Sequence, residues 1–336
     1  MGRRKRGTEA HCVARDRPSQ GPSLDTAVHR KQRDDMNLPT TMQVFERGWL
    51  SSNNILFHGR NDTALVDTGY ATHAPQTVAL VRHALNGGVL DRIVNTHIHS
   101  DHCGGNALLQ ETFGCRTAIP ATEADKVRCW DQGALSYVAT GQQCPRFNVD
   151  ETVAPGDALL LGDLAWEVLG APGHDPHSVI LYCAAHRILI SADALWESGF
   201  GVIFPELDGE PGFAETRATL ELIQSLDVDL VIPGHGKPFT DVGRSLDIAF
   251  RRIDYLAADP VRNAQNAVKV LLKFLLLERR RILLADVPAL LSGIPLVANV
   301  NTRYLGMTQA EIASWSVAQL SRVGAAAVED GAVVDR

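Results

Sequence analysis

One ten-residue stretch, Thr96-His97-Ile98-His99-Ser100-Asp101-His102-Cys103-Gly104-Gly105, constrains the chain more than any other. Three imidazoles and a carboxylate fall between positions 97 and 102, directly after the apolar run Arg92-Ile93-Val94-Asn95. That run reads as a short buried strand, and Gly104-Gly105 reads as the turn into a helix. In an extended segment, residues two apart point the same way, so His97 and His99 can converge on one cation. Asp101 and His102 sit at the bend, within reach of a second site close by. Imidazole nitrogen and carboxylate oxygen are the ligand types that suit zinc, or iron.

Three later motifs each place one candidate ligand just after an apolar, strand-like run. They are Ala171-Pro172-Gly173-His174, Ser191-Ala192-Asp193-Ala194 and Ile232-Pro233-Gly234-His235-Gly236. Each is weak alone. All four, in this order, resemble the metallo-β-lactamase superfamily of binuclear metallohydrolases, over about residues 42–245. The resemblance implies a four-layer αββα sandwich with metals where the sheet ends meet. It implies that His97, His99 and His174 bind a first ion, that Asp101, His102 and His235 bind a second, and that Asp193 bridges both. The implied cofactors are two divalent ions, zinc with iron as the alternative. The implied nucleophile is a shared hydroxide, with Asp101 orienting it or passing its proton to the leaving group. Asp67, which ends the run Thr63–Val66, matches the superfamily's strand-end Asp and is expected to hold the ligand loop.

The chain departs from the family pattern after His174. Where Ser or Thr and then Gly are usual, it has Asp175-Pro176-His177-Ser178. His177 is therefore a candidate for a supporting or substrate-facing role, with plain exposure as the alternative. Trp196 either walls the cleft or packs in the core. Cys103 is expected to be a small packed residue rather than a ligand.

Residues 1–41 lack apolar periodicity and carry a net charge of +4, so they read as a disordered basic extension. From residue 42, short strands are expected at 41–47, 54–58, 63–66, 92–95 and 116–119, with helices at 74–85, 105–113 and 121–129. This is α/β alternation. Residues 130–150 have no clear period and are expected to loop across the site or over the surface. Strands follow at 158–161, 165–169, 179–183 and 188–191, then a helix at 215–226 and a strand at 228–232. Residues 42–245 make the expected catalytic domain, and 246–336 a smaller, mostly helical C-terminal domain. Helices are expected there at 242–258, 261–278, 284–291 and 308–323. Asp330-Gly331 between apolar runs signals a closing hairpin. Helices followed by a hairpin resemble a winged helix, but the recognition-helix position, 308–319, contains no Lys or Arg. A structural or dimerising role is expected instead.

Charge narrows the function classes. Residues 42–260 carry −14, against +3 for residues 261–336, within a total of −7. An acidic body repels polyphosphate, so nucleic acid is not an expected partner. No run approaches a membrane span, and no apolar segment follows the basic residues 3–6, so no secretory leader is expected. The six Cys show no paired spacing and read as free thiols in a reducing cytoplasm. His235 follows Asp193 by only 42 positions, so the long insertion of the family's nuclease subgroup is missing. The expected function is hydrolysis of a small ester, thioester or lactone. The alternatives are a mononuclear iron persulfide dioxygenase of the same fold and an endoribonuclease using the C-terminal domain.

Overall fold

The computed structural model describes residues 1–2 and 38–336. The expected basic extension falls almost wholly outside the described residues. Residues 39–336 form one compact unit.

Two sheets make its centre. The first has six strands in sequence order: β1 (Met42–Phe45), β2 (Asn54–His58), β3 (Thr63–Val66), β4 (Arg92–Val94), β5 (Arg116–Pro120) and β6 (Glu151–Val153). The first two pairings are antiparallel, made by short turns, and the later three are parallel. Parallel neighbours need crossovers, and helices Ala74–Leu85 and Asn106–Phe113 supply them. Ala74–Leu85 starts with Pro at its second position and stops at Asn86, whose left-handed φ of 46° closes it. Val78 and Val81 of that helix pack on Leu65, Ile93 and Leu109.

The second sheet runs β11-β10-β9-β8-β7, with β7 (Ala158–Leu161), β8 (Leu164–Gly170), β9 (Val179–Cys183), β10 (Ile188–Ala192) and β11 (Leu230–Pro233). Strands β9, β10 and β11 are buried at every position, which is why they read as continuous apolar runs without alternation. Phe57 of the first sheet meets Trp166 of the second edge-on at 5.4 Å. Helices Phe213–Ser225 and Val242–Ala257 cover the second sheet's outer face through Leu220, Ile223, Leu246 and Ile253. The result is the expected αββα sandwich with a mostly helical C-terminal part.

Beyond residue 257 a separate core forms on helix Pro260–Arg279, whose Val268, Leu271, Leu272 and Leu276 meet Leu291, Val297, Ile312 and Leu320. Truncating a buried Leu here to Ala costs about 2–5 kcal/mol. The expected hairpin is β13 (Ala326–Glu329) and β14 (Ala332–Asp335), joined by Asp330 and Gly331, both at positive φ. A strand not foreseen, β12 (Arg281–Leu283), pairs with β14, so the helix expected from residue 284 begins only at Val287. A further helix, Pro295–Val300, precedes helix Gln309–Arg322, which opens on a Thr308–Glu311 capping box. Among the described residues no helix is long and apolar enough to cross a membrane.

Candidate metal centre

Strand ends deliver the chemistry. Beyond β4 the chain bends at Thr96 and His97, is extended at His99 and then makes one helical turn, Ser100–Cys103. The segment before the turn presents His97 and His99, and the turn presents Asp101 and His102. β10 ends in a break of register at Ala192, and Asp193 follows. β11 ends at Pro233, and Gly234-His235 follows. A Cβ on Gly234 would sit 2.3 Å from Asp193 Oδ1, so only glycine lets these two loops meet. His174 comes from the connection between β8 and β9.

Asp67 organises the cluster from below. It is 2% exposed and has a left-handed φ of 56°, a conformation Asp tolerates better than most residues. Its Oδ1 accepts the Thr96 backbone N–H at 2.9 Å. Its Oδ2 accepts the Thr96 hydroxyl at 2.8 Å and His102 Nδ1 at 2.7 Å. A carboxylate only accepts, so His102 carries its proton on Nδ1 and turns Nε2 into the site. Thr96, having donated to Asp67, can accept from His97 Nδ1 at 3.1 Å, which turns His97 Nε2 inward as well. One buried carboxylate thus sets two tautomers.

His174 Nδ1 donates to the Val202 carbonyl at 2.5 Å, leaving Nε2 as an acceptor. His99 Nδ1 lies 2.8 Å from that Nε2 and therefore donates to it. Asp193 stands at the junction: Oδ2 is 3.3 Å from His174 Nε2, and Oδ1 is 3.4 Å from His102 Nε2 and 3.8 Å from His235 Nε2. Asp101 Oδ2 is 3.2 Å from His235 Nε2.

Electrostatics follow from burial and neighbours. Burial, reinforced by the imidazoles of His102 and His99, holds His97 well below the usual histidine range. Burial, with His99 beside it, pushes His174 down to about 4. Burial opposes charge on His102 too, but the Asp193 and Asp67 carboxylates outweigh it and raise its pKa strongly. Burial also opposes ionisation of Asp193, and the His102 and His235 imidazoles overcome it, holding the carboxyl well below its ordinary range. The cluster therefore holds a carboxylate, Asp193, that favours a cation beside it, and two imidazoles, His97 and His174, that resist becoming one.

The residues fit divalent ions. His97 Nε2 and His102 Nε2 are buried side-chain nitrogens with no hydrogen-bond partner, a cost of about 1–3 kcal/mol each if nothing else satisfied them, and His235 turns Nε2 toward Asp101 and Asp193. Donor atoms gather within 4.8 Å in three groups: His97, His99 and His174; His97, His102 and Asp193; and Asp101, His102 and His235. All seven side chains singled out in the sequence are thus brought together.

The other candidates separate. Trp196 donates from Nε1 to Asp193 Oδ1 at 3.2 Å and lines the cavity. His177 lies outside the cluster, its Nε2 3.5 Å from Glu123 Oε1. Cys103 is buried, with its sulfur 3.3 Å from the Tyr137 hydroxyl and 3.7 Å from Cys144 Sγ.

The cluster opens into a cavity of about 420 Å³. Trp49, missed in the sequence, stacks on His235 at 5.6 Å and meets Trp196 edge-on at 5.3 Å. Asn53, also missed, donates to the carbonyls of Pro233 and Gly236 and so pins the loop that carries His235. From the unpatterned stretch 130–150, Thr140 and Gln142 reach the cavity, and Gln142 accepts from Ser100. Phe274 and Leu277, from helix Pro260–Arg279, also line the cavity, on the face of that helix that packs against Leu50 and Tyr70. A lone aromatic or apolar side chain gives no local pattern that marks it as a cavity wall.

Comparison with known proteins agrees with this geometry. The family model of the metallo-beta-lactamase superfamily matches residues 47–235, more than half of the chain. The chain belongs to the metallo-beta-lactamase superfamily. It is similar to a hydroxyacylglutathione hydrolase of Rhizobium etli, 29% identical over 141 residues, covering 41% of this chain and 48% of that one. A hydroxyacylglutathione hydrolase of Bradyrhizobium sp. (strain ORS 278) is 33% identical over 132 residues, covering 39% and 44%. The chain thus spans just under half the length of these curated relatives. In structure it is similar to a metallo-beta-lactamase family protein of Thermus thermophilus, with TM-score 0.54, 18% identity and coverage of 89% and 99%. A beta-lactamase domain protein of Burkholderia ambifaria gives TM-score 0.54, 20% identity and coverage of 89% and 93%. At such identities the structural likeness concerns the fold alone.

Proposed function

We propose that the chain is a metal-dependent hydrolase with two divalent ions, zinc by the chemistry of its donors, acting on a small ester, thioester or lactone. The observation that carries this reading is the convergence of seven ligand-type side chains, with the buried Nε2 atoms of His97 and His102 unpartnered, at the floor of an apolar-walled cavity. The similarity to enzymes named hydroxyacylglutathione hydrolases supports an acyl substrate.

In this reading His97, His99 and His174 hold one ion, Asp101, His102 and His235 the other, and Asp193 lies between them. Bound ions would supply Lewis acidity, acidifying water and polarising an acyl oxygen. The chain's own residues do the rest. Asp67 and Thr96 keep the Nε2 lone pairs of His97 and His102 pointed inward. Asp101, 16% exposed at its side chain, faces the cavity and is placed to orient a water and carry its proton from Oδ2 toward the leaving group. Trp49 and Trp196 exclude bulk water beside His235. We assign residues 42–245 as the catalytic domain and 246–336 as an addition whose helix Pro260–Arg279 lines the cavity.

The test is metal analysis of protein purified without added metal, followed by turnover of thioesters, lactones, phosphodiesters and β-lactams. Two zinc ions per chain with acyl-ester turnover is the expected result. One iron per chain with thiol-dependent oxygen uptake would replace the hydrolase reading by the persulfide dioxygenase. Phosphodiester turnover alone would favour the nuclease.

A further inference from the structure

Two thiols touch beside the metal loop. Cys103 Sγ lies 3.7 Å from Cys144 Sγ, the one thiol–thiol contact among the described residues. Cys103 is buried at the end of the turn Ser100–Cys103, directly after Asp101 and His102. Cys144 is half-buried and belongs to the segment 130–150, whose Thr140 and Gln142 line the cavity. Cys115 and Cys183 are buried and Cys129 is exposed, each without a thiol neighbour among the described residues. The hydrolytic mechanism uses neither Cys103 nor Cys144.

Hydrogen bonding turns the Cys103 sulfur toward its neighbour. The Tyr137 hydroxyl has one hydrogen and gives it to the Ile98 carbonyl at 3.0 Å. Toward Cys103, at 3.3 Å, it can only accept, so the thiol hydrogen points at Tyr137 and the sulfur lone pairs are left for Cys144.

The two sides of the contact differ in stiffness. The turn is tied down at its backbone, since the Asp101 carbonyl accepts Ser52 N–H at 2.9 Å and the His102 carbonyl accepts Thr68 N–H at 2.7 Å. Asp67 holds the His102 ring from below. The segment opposite hangs on fewer bonds. Gln142 accepts from the Ser100 hydroxyl, and Gln143 N–H donates to the Tyr70 hydroxyl at 3.1 Å. Bonded sulfurs stand at about 2.05 Å, so closing this contact to a bond draws the segment toward the turn rather than the reverse. Gln142 lies two residues before Cys144 and moves with it, at the cavity.

We propose that Cys103 and Cys144 are a modification site: a peroxide joins them in a reversible disulfide that pulls residues 142–144 against the metal loop and narrows the cavity, leaving the metal ligands in place. The chemistry balances in two steps. The more exposed Cys144 sulfur attacks a peroxide oxygen, the oxygen–oxygen bond breaks, and Cys144 becomes a sulfenic acid with release of one water. The Cys103 sulfur then attacks the Cys144 sulfur. The sulfur–sulfur bond forms, the sulfur–oxygen bond breaks, and hydroxide leaves with the Cys103 proton as a second water. Two thiols lose two electrons and the peroxide gains them. A thiol or phosphine reductant reverses the step.

The experiment treats the metal-loaded full chain with hydrogen peroxide and digests it without reduction. A peptide pair joined through Cys103 and Cys144, lighter than its parts by two hydrogens and separated by a phosphine, is the expected product. In the oxidised chain, hydrogen exchange at residues 140–144 should slow while metal content stays constant. kcat/KM should fall roughly tenfold to a hundredfold, the scale of an ångström-sized misplacement at a reacting cavity, and should recover on reduction. Cys144→Ser, at a half-buried position that does not line the cavity, should keep the reduced chain's activity and lose both the cross-link and the peroxide response. In Cys103→Ala, oxidation of Cys144 should stop at the sulfenic acid, trapped by a cyclic dione. Peroxide that oxidises the exposed Cys129 yet leaves Cys103 and Cys144 unjoined would overturn the proposal. So would a cross-link without slowed exchange at residues 140–144, or one that releases metal, since the turn would then be the part that yields. The cross-link and the exchange are read without turnover. Both appearing in a chain that hydrolyses no acyl ester would leave the modification site standing and remove the hydrolase reading alone.

Discussion

At one end of the cavity, four of the seven ligand-type side chains come from residues 97 to 102. The wall of the same cavity is assembled from Trp49, Thr140, Phe200, Arg252 and Phe274, which are scattered over more than two hundred positions. The floor is rigid by construction, because short loops leave the ends of buried strands and tie back to Asp67 and Asn53. The wall depends on two separate cores meeting. The difference implies that damage to the floor removes metals and chemistry together, whereas damage to the wall changes what binds and how firmly the cores stay docked.

The hardest test of that division is Asp193→Ala. It removes the carboxylate that stands within 3.8 Å of three imidazoles. At least one metal should be lost, with turnover falling roughly a thousandfold or more. Metal content by mass spectrometry and single-substrate kinetics check it together. Two retained ions would mean that Asp193 is not the bridging group.

Asp67→Ala should come next. Asp67 belongs to none of the three donor groups, yet without it His102 loses the acceptor that sets its tautomer, and Thr96, which holds His97, loses the acceptor that orients its hydroxyl. Metal affinity should fall about 10–100-fold. The apo-protein should also lose stability by a few kcal/mol, since three buried donors, the Thr96 N–H and hydroxyl and His102 Nδ1–H, lose their acceptor. Asp67→Asn, which keeps the shape, should recover part of the stability and less of the affinity. Unchanged zinc affinity in a competition titration would refute the argument from tautomers.

What was legible in the sequence follows the same division. The strand-end motifs were readable because short-range constraints act on consecutive residues: a buried strand, then alternation, then a glycine turn. Asp67 was readable because it ends its own strand. β12 was not, because Arg281-Ile282-Leu283 has a single buried residue and owes its strand geometry to pairing with β14, fifty positions away. Trp49 carries no mark of its role in its neighbours, since it acts across a tertiary contact. Charge counts made the same omission: +3 over residues 261–336 does not reveal that Lys273 is spent on Asp335.

A wall substitution sharpens the contrast. Lys273 donates to the carbonyls of Ala325 and Arg336 as well as to Asp335, and so fastens helix Pro260–Arg279 to the closing hairpin. Lys273→Met should lower stability by about 1–3 kcal/mol, seen as a drop of several degrees in Tm, while metal content stays at the level of the unaltered chain. Loss of metal in this variant would show that the wall supports the floor and would break the division.

The smallest effect is expected at His177, the position where the sequence departs from its family and left three roles open. Its imidazole is 32% exposed, and its one charged neighbour is Glu123 at 3.5 Å, which already accepts from Lys126 at 2.8 Å. It lies outside the three donor groups and outside the cavity above the metal cluster, although its backbone N–H is held by Asp175 at 2.8 Å. With His177 partly exposed and Glu123 already paired with Lys126, a contact of this length contributes about 0–1 kcal/mol. His177→Ala should therefore keep the full metal content and shift Tm by no more than a degree or two. kcat/KM should stay within about twofold, because an interaction absent from the reacting cavity cannot discriminate ground state from transition state. A kcat/KM drop at constant metal would place His177 on the substrate's path through the neighbouring cleft that it shares with His99 and His174. Metal loss in this variant, with Asp193→Ala still binding two ions, would require a different ligand set, one built from the Asp175–His177 side of His174.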